Sequence, residues 1–313
     1  MNDSSSSHPS TVAILLCAYQ GEAFLARQLD SIANQTHTHW VLYVADDGST
    51  DRTRTILEDY QSRWGADRLH ITDGPRRGYA ANFLTLLCQD DFCADYYAYC
   101  DQDDLWEPDK LERSLSLLSS SPAETPALYA SRTRLIDHFD APLGLSPLFT
   151  RPPAFANALV QCIGGGNTML FNDAVRQLLK SAGVVDVPAH DWWTYLVVSG
   201  CGGTVLYDLN PTVQYRQHPK NQMGTNLGFT ARLARVRMLL SGHFKTWNTR
   251  NLIALHTLRS QLTSENQKTL DAFAAVRSKH LLARLTALHR SGVYRQTFLG
   301  NLGLLVAACG GKL

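Results

Sequence analysis

Apolar residues alternate between two rhythms along the first hundred positions. TVAILLCAY, residues 11–19, is a continuous apolar run of the kind a strand buried on both faces requires. GEAFLARQLDSIANQ follows it, with Phe24, Leu25, Leu29 and Ile32 at helical spacing. The pair then repeats: a second strand, WVLYVA, ends at Ala45, an Asp- and Gly-rich turn follows, and RTRTILEDYQSRW reads as a helix. A third strand, LHIT, leads through DGPRRGYAANF into the helix ANFLTLLCQ, then the strand YYAYC and the helix EPDKLERSL, with Pro108 near its first turn. Strand–helix alternation predicts an α/β protein with a doubly wound parallel sheet, in which ligands bind outside the carboxyl ends of the strands.

Both acidic clusters fall at such ends. Asp46 and Asp47 close the second strand, and Asp101, Asp103 and Asp104, with Gln102 between them, close the fourth. Carboxylates crowded together repel unless a cation or solvent compensates them. A hard divalent ion, shared with substrate phosphates, would do so. A solvated acidic turn capping the next helix is the plainer alternative. DDGSTD also admits an ordinary turn with an N-cap at Ser49 or Thr50. It is not an EF-hand: Asp51 and Glu58 fit the spacing from Asp47, but Arg52 stands where glycine is needed and a strand precedes the loop.

Composition excludes some classes. A chain of 313 residues with 44% hydrophobic and 18% charged residues can bury a substantial core, so disorder is not an option. The seven cysteines are odd in number and scattered without a CxxC pair, which points to a reducing cytosol. Residues 1–10 are polar and read as a short disordered lead rather than a signal peptide. FLGNLGLLVAAC, the longest late apolar run, is short of the roughly 20 residues a bilayer span takes. Charge divides the chain: residues 1–225 carry 16 Lys and Arg against 26 Asp and Glu, and residues 226–313 carry 13 against 2.

ILLCAYQGEAFLARQLDSIANQT, VADDGSTDRT, GYAANF and AYCDQDDLWEPDKL, in this order, resemble the donor half of an inverting family-two glycosyltransferase. GGGNTMLF, HDWWTYLV and VQYRQHPKNQMG resemble the acceptor half of its rhamnosyltransferase-like branch. The resemblance implies the GT-A nucleotide-sugar-binding fold, a doubly wound mixed, mostly parallel sheet with an α-helical C-terminal extension. It divides the chain into a GT-A domain at 11–225, with a nucleotide-sugar half at 11–110 and an acceptor half at 111–225, and a basic helical region at 226–313.

Carried over by position, the resemblance implies that Ala18, Tyr19 and Glu22 line the base and ribose pocket. Asp46 contacts the base with Asp47 beside it, while Arg77 and Asn82 position the nucleotide. Asp101 and Gln102 serve the ribose, Asp103 and His218 hold Mg2+ or Mn2+, and Asp101 is a further candidate ligand. Asp191 stands in the place of the catalytic base, although many members have Glu-Asp where this chain has His190-Asp191. Trp192, Trp193 and Gly165 are candidate acceptor contacts, against the plainer readings of core indoles and a flexible Gly164–Gly166 turn. His218, taken alone, is equally a structural histidine.

Such a site suits sugar transfer. A metal at Asp103 stabilises charge developing on the diphosphate leaving group, and a carboxylate base deprotonates an acceptor hydroxyl for a single inverting displacement. The implied donor is dTDP-L-rhamnose, with UDP-hexoses or UDP-N-acetylhexosamines as the alternative. An aspartate-nucleophile phosphatase would want Thr or Val where Leu105 stands, and a non-catalytic sugar-nucleotide module would not need Asp191. The basic tail is expected to form amphipathic helices that pack on the domain or meet an anionic membrane surface, bringing a cytoplasmic enzyme to a lipid-linked saccharide. No recognised nucleic-acid-binding module accompanies that charge.

Overall fold

The computed structural model describes residues 9–218 and 243–313. Most of the expected lead lies outside the described residues, as does the start of the basic region with Arg232, Arg235 and Arg237.

The alternation read from the sequence is the first half of the fold. Strands β1 (Val12–Ala18), β2 (Trp40–Asp46), β3 (Leu69–Asp73) and β4 (Tyr96–Asp101) are separated by helices α1 (Leu25–Ala33), α2 (Thr53–Trp64) and α3 (Tyr79–Leu87). They run parallel in the order β3-β2-β1-β4. In β1 the side chains alternate between two cores: Val12, Ile14, Leu16 and Ala18 meet α1 and α2, whereas Ala13 and Leu15 meet α3.

The second half is mixed. It comprises β5 (Leu105–Trp106), α4 (Lys110–Leu118), β6 (Ala127–Ile136), β7 (Pro142–Leu145), α5 (Phe155–Ala158), β8 (Leu170–Asn172), α6 (Asp173–Ala182), α7 (His190–Gly200) and β9 (Thr204–Arg216). The sheet continues from β4 through β8, β6 and β9 to β5, with β7 on β6. Strand β8 is antiparallel to both neighbours, and the long β6–β9 ladder is parallel. The sheet is thus mixed, with most of its paired residues in parallel ladders.

Helices α8 (His243–Thr257), α9 (Ser264–Ala275), α10 (Leu281–Ser291) and α11 (Phe298–Cys309) follow. Leu252, Leu255, Phe273, Leu304 and Ala308 from these helices join the same apolar cluster as α3, α6 and α7. Among the described residues no helix is long and apolar enough to cross a membrane.

Helix α7 explains a correction. Trp192 is buried with its indole N–H donated to Ala158 O at 2.6 Å, and Trp193 is fully buried. Neither offers a face to a sugar ring, so the acceptor role expected of them gives way to core packing. Trp193→Ala is expected to lower the unfolding free energy by about 3–5 kcal/mol in urea titrations; a loss below about 1 kcal/mol would return Trp193 to the surface.

Candidate active site

The carboxyl ends of β1, β2 and β4 lie side by side, with Cys17 opposite Asp101 and Ala18 opposite Asp46 in register. Two residues in loops at this edge, Gln20 and Arg76, have φ of 52° and 55°, left-handed values unusual for side chains larger than glycine.

Much of the expected nucleotide pocket is tied into these loops. Asp46 accepts from the amide and hydroxyl of Ser49 at 3.0 and 2.6 Å. Asp47 accepts from the amides of Arg76 and Gly78 at 2.6 and 3.1 Å. Glu22 accepts from Arg52 N at 3.0 Å, and Asp51 from Thr53 N, so these two carboxylates, rather than Ser49 or Thr50, serve the start of α2. Asn82 is buried and donates to Ala45 O, and among the described residues its Oδ1 has no partner. Tyr19 and Arg77 are exposed, Ala18 is buried. Gln102 acts through Tyr19: its amide accepts from Tyr19 N at 2.8 Å and donates to Tyr19 O at 2.9 Å. That clamp requires the neighbouring glycine, because a Cβ on Gly21 would lie 2.3 Å from Gln102 Oε1.

The three aspartates after β4 have separate fates. Asp104 is buried, with one oxygen accepting from Asn167 Nδ2 and the other from Arg216 N at 2.9 Å. Burial and the charges of Asp103 and Asp101 push its carboxyl well up. Asp103 Oδ2 lies 2.7 Å from His218 Nε2, and Arg216 Nε donates to Asp103 O at 2.8 Å. Arg216 is itself buried, ion-paired to Asp140 and set 4.5 Å over the Phe24 ring. The Asp101 carboxyl receives no hydrogen bond among the described residues, and burial together with Asp103 and Asp191 raises it far above the usual range.

Asp103, His218 and Asp101 suit a hard divalent ion: a carboxylate and an imidazole already converge, and an unsatisfied carboxyl crowded by negative charge stands beside them. Among the described residues no group of three or more such side chains is gathered at ligand spacing, so the remaining positions would fall to substrate oxygens.

Asp191 lies in the first turn of α7 and is the one residue of that helix that is only half-buried. Its Oδ2 accepts from Gly166 N at 3.1 Å and its Oδ1 from Trp192 N at 2.7 Å. Burial nevertheless pushes its carboxyl up to about 6, within range of base catalysis near neutral pH. Gly166 supplies this N–H, and Gly165, the candidate acceptor contact, is exposed beside it. A side chain at Gly166 is excluded by His190, whose Nε2 would sit 2.5 Å from the added Cβ. His190 stacks on Phe83 with centroids 3.9 Å apart, both ring nitrogens lack partners among the described residues, and burial pushes it down to about 3, so it is neutral.

Sequence reasoning missed Asn167, Arg216 and the Gly166 amide. Only the glycine run carried a signal for the last.

The family described as Glycosyl transferase family 2 matches residues 13–178. Over 233 residues, 72% of this chain and 78% of the relative, the chain is 28% identical to the dTDP-rhamnosyl transferase RfbG of Shigella flexneri. Over 108 residues, 34% of this chain and 40% of the relative, it is 32% identical to the UDP-Glc:alpha-D-GlcNAc-diphosphoundecaprenol beta-1,3-glucosyltransferase WfgD of Escherichia coli. Its fold is similar to that of S. aureus TarS 1-349 in complex with UDP-GlcNAc, with a TM-score of 0.56 at 13% identity over 90% of this chain and 89% of that one. The mannosyltransferase PcManGT from Pyrobaculum calidifontis, in complex with GDP-Man and Mn2+, gives 0.51 at 18% over 98% and 88%. At these identities the likeness is one of fold, the GT-A arrangement of a mixed sheet flanked by helices.

If Asp191 acts as a base, it works only when ionised. With its carboxyl at about 6, kcat/KM for transfer is expected to fall about tenfold per pH unit below that value and to level off above it. A profile that is flat down to about pH 4.5 would remove the assignment.

Proposed function

Because the chain belongs to glycosyl transferase family 2 and is a glycosyltransferase, we propose that it inverts a sugar as it moves it from a nucleoside diphosphate to a saccharide hydroxyl, with dTDP-L-rhamnose as donor. The observation that carries the mechanism is the setting of Asp191: in a helix otherwise buried along its length, the open position holds a carboxylate close enough to Asp101 to raise it. The choice of donor rests on the match to a dTDP-rhamnosyl transferase, which covers 72% of this chain. A UDP-hexose or UDP-N-acetylhexosamine is the second reading, favoured by the shorter match to a UDP-Glc-dependent relative.

Asp191 takes the proton of the acceptor hydroxyl as it attacks. The amides of Gly166 and Trp192 hold the carboxylate in place and limit how far burial raises it. Asp103 and His218 would hold Mg2+ or Mn2+, which would offset the charge developing on the departing nucleoside diphosphate. Gln102 fixes the Tyr19 backbone, and Asp46 and Asp47 keep the β2 loop shaped, so that the nucleotide edge is set before donor arrives. The acceptor we propose is a lipid-linked saccharide in cell-surface polysaccharide or O-antigen synthesis, met by a cytoplasmic enzyme at the membrane surface.

Three substitutions separate the roles. Asp191→Asn is expected to lower turnover at least about 100-fold with donor affinity nearly unchanged, since a general base contributes about 10²–10⁴-fold. Asp103→Ala is expected to weaken Mn2+-dependent binding of nucleoside diphosphate and make the residue of binding indifferent to chelator, with His218→Ala showing a milder form. Nucleotide-sugar turnover measured by release of nucleoside diphosphate, and binding by calorimetry, report both. Retention of more than about a tenth of turnover in Asp191→Asn, or chelator-sensitive binding at full strength in Asp103→Ala, would overturn the assignment concerned.

A further inference from the structure

Helix α11 is apolar on two opposite faces. From Phe298 to Cys309 it contains no charged residue. Leu304, Ala307 and Ala308 turn inward to the main hydrophobic cluster. Phe298, Leu299, Leu302, Leu305 and Val306 are between 44% and 83% exposed. At about 100° per residue these five fall on one face, about a third of the circumference. A helix apolar all round is ordinarily covered all round, and a contiguous exposed apolar face marks a contact with another surface. Two more exposed leucines, Leu281 and Leu282, open α10. Arg284, in the first turn of α10, donates to Cys309 O at 2.8 Å and so brings that helix's start against the end of α11.

Charge distinguishes the occupants. Between Ala272 and Leu313 there are six Lys or Arg and no Asp or Glu, and Lys279, Arg290 and Lys312 are exposed. A second copy of this surface would bring like charge against like charge. Anionic lipid would meet opposite charge, each basic residue near the headgroups contributing about 1 kcal/mol.

We infer that the outward face of α11 is a docking surface for an anionic lipid bilayer, lying in the headgroup region with its leucines and Phe298 at the acyl boundary and Lys279, Arg290 and Lys312 toward the phosphates. Its 12 residues extend about 18 Å, well short of a bilayer core of about 30 Å, so it lies along the surface. The segment leading into it is fastened to the acceptor half: Asn157 Nδ2 donates to Tyr294 O at 2.9 Å, Gln296 N to Gln161 Oε1 at 2.9 Å, and Arg151 N to Gln296 Oε1 at 3.0 Å. Residues 151–161 run on to Gly166 and its contact with Asp191. The bilayer contact is thereby joined to the side of the cleft where the acceptor enters, a use that rests on the proposed lipid-linked acceptor, although the surface itself does not.

The full chain is tested by co-sedimentation with vesicles of phosphatidylcholine alone and with about a third phosphatidylglycerol, at low and high salt. The wild type is expected to favour the anionic vesicles at low salt. The pair Leu299→Glu/Leu302→Glu is expected to lose about tenfold or more of that binding, and Lys279→Glu/Arg290→Glu to lose its salt-sensitive part. Both pairs should keep the wild-type melting temperature and turnover of donor with a soluble saccharide. Binding by the leucine pair equal to wild type would overturn the surface. So would a wild-type dimer, seen by analytical ultracentrifugation, that the leucine pair dissolves while no form binds vesicles. If wild type binds vesicles through this face yet uses a lipid-linked saccharide no better than the same saccharide free in solution, the docking surface stands and the acceptor reading falls.

Discussion

Mutual repulsion among carboxylates at one end of the sheet governs how the site is built. Asp101, Asp103 and Asp104 leave β4 together, and α7 brings Asp191 toward them. Like charges this close, partly withdrawn from water, do not ionise freely unless each is given its own compensation. Asp104 receives two donors and becomes part of the frame. Asp103 is given an imidazole, Asp191 two backbone amides, and Asp101 nothing among the described residues. These differences fit the proposed division of roles: the fully bonded Asp104 is part of the frame, Asp103 with its imidazole is the proposed metal ligand with the unsatisfied Asp101 beside it, and Asp191, moderated by amides, is the proposed base.

Holding that arrangement requires groups from distant parts of the chain. Arg216 is central, since its backbone serves Asp104 while its guanidinium reaches Asp103 O, Asp137 O and the Asp140 carboxylate. A buried guanidinium is costly to desolvate and is tolerated here because several acceptors and the Phe24 ring surround it. Across the cleft, the neutral His190 ring occupies the space a side chain at position 166 would need, which keeps the loop backbone close to Asp191. Lys110 is a comparable case in the frame, its buried ammonium 4.1 Å from the Trp106 ring centroid and pushed down by burial to about 7.

The parallel half was legible because its signals are local. Continuous apolar runs placed β1, β2 and β4, and the second strand ends at Asp46, one residue beyond Ala45. The antiparallel pairings of the mixed half were not, because β5 and β8 are strands of two and three residues whose partners lie far along the chain. Position could show that acids gather at strand ends; it could not say that Asp104 would be taken up by Asn167 and Arg216, 63 and 112 residues away. The indoles of Trp192 and Trp193 stayed open between core and acceptor contact for a related reason: a helix buried on nearly every side has no polar stripe to reveal which face is open. On α11 the same lack of polarity has the opposite outcome, with half the helix left outside the core.

The central claim is that one carboxylate, Asp191, activates the acceptor and that the sugar is displaced in a single step. The stereochemistry of the product reads this directly. A nucleotide sugar of known anomeric configuration is incubated with metal, enzyme and a soluble saccharide acceptor, and the anomeric coupling constants of the new linkage are measured by nuclear magnetic resonance. An inverted configuration is the predicted result, since one displacement reverses the anomeric centre; a retained configuration would demand a protein nucleophile or a second displacement and would contradict the account.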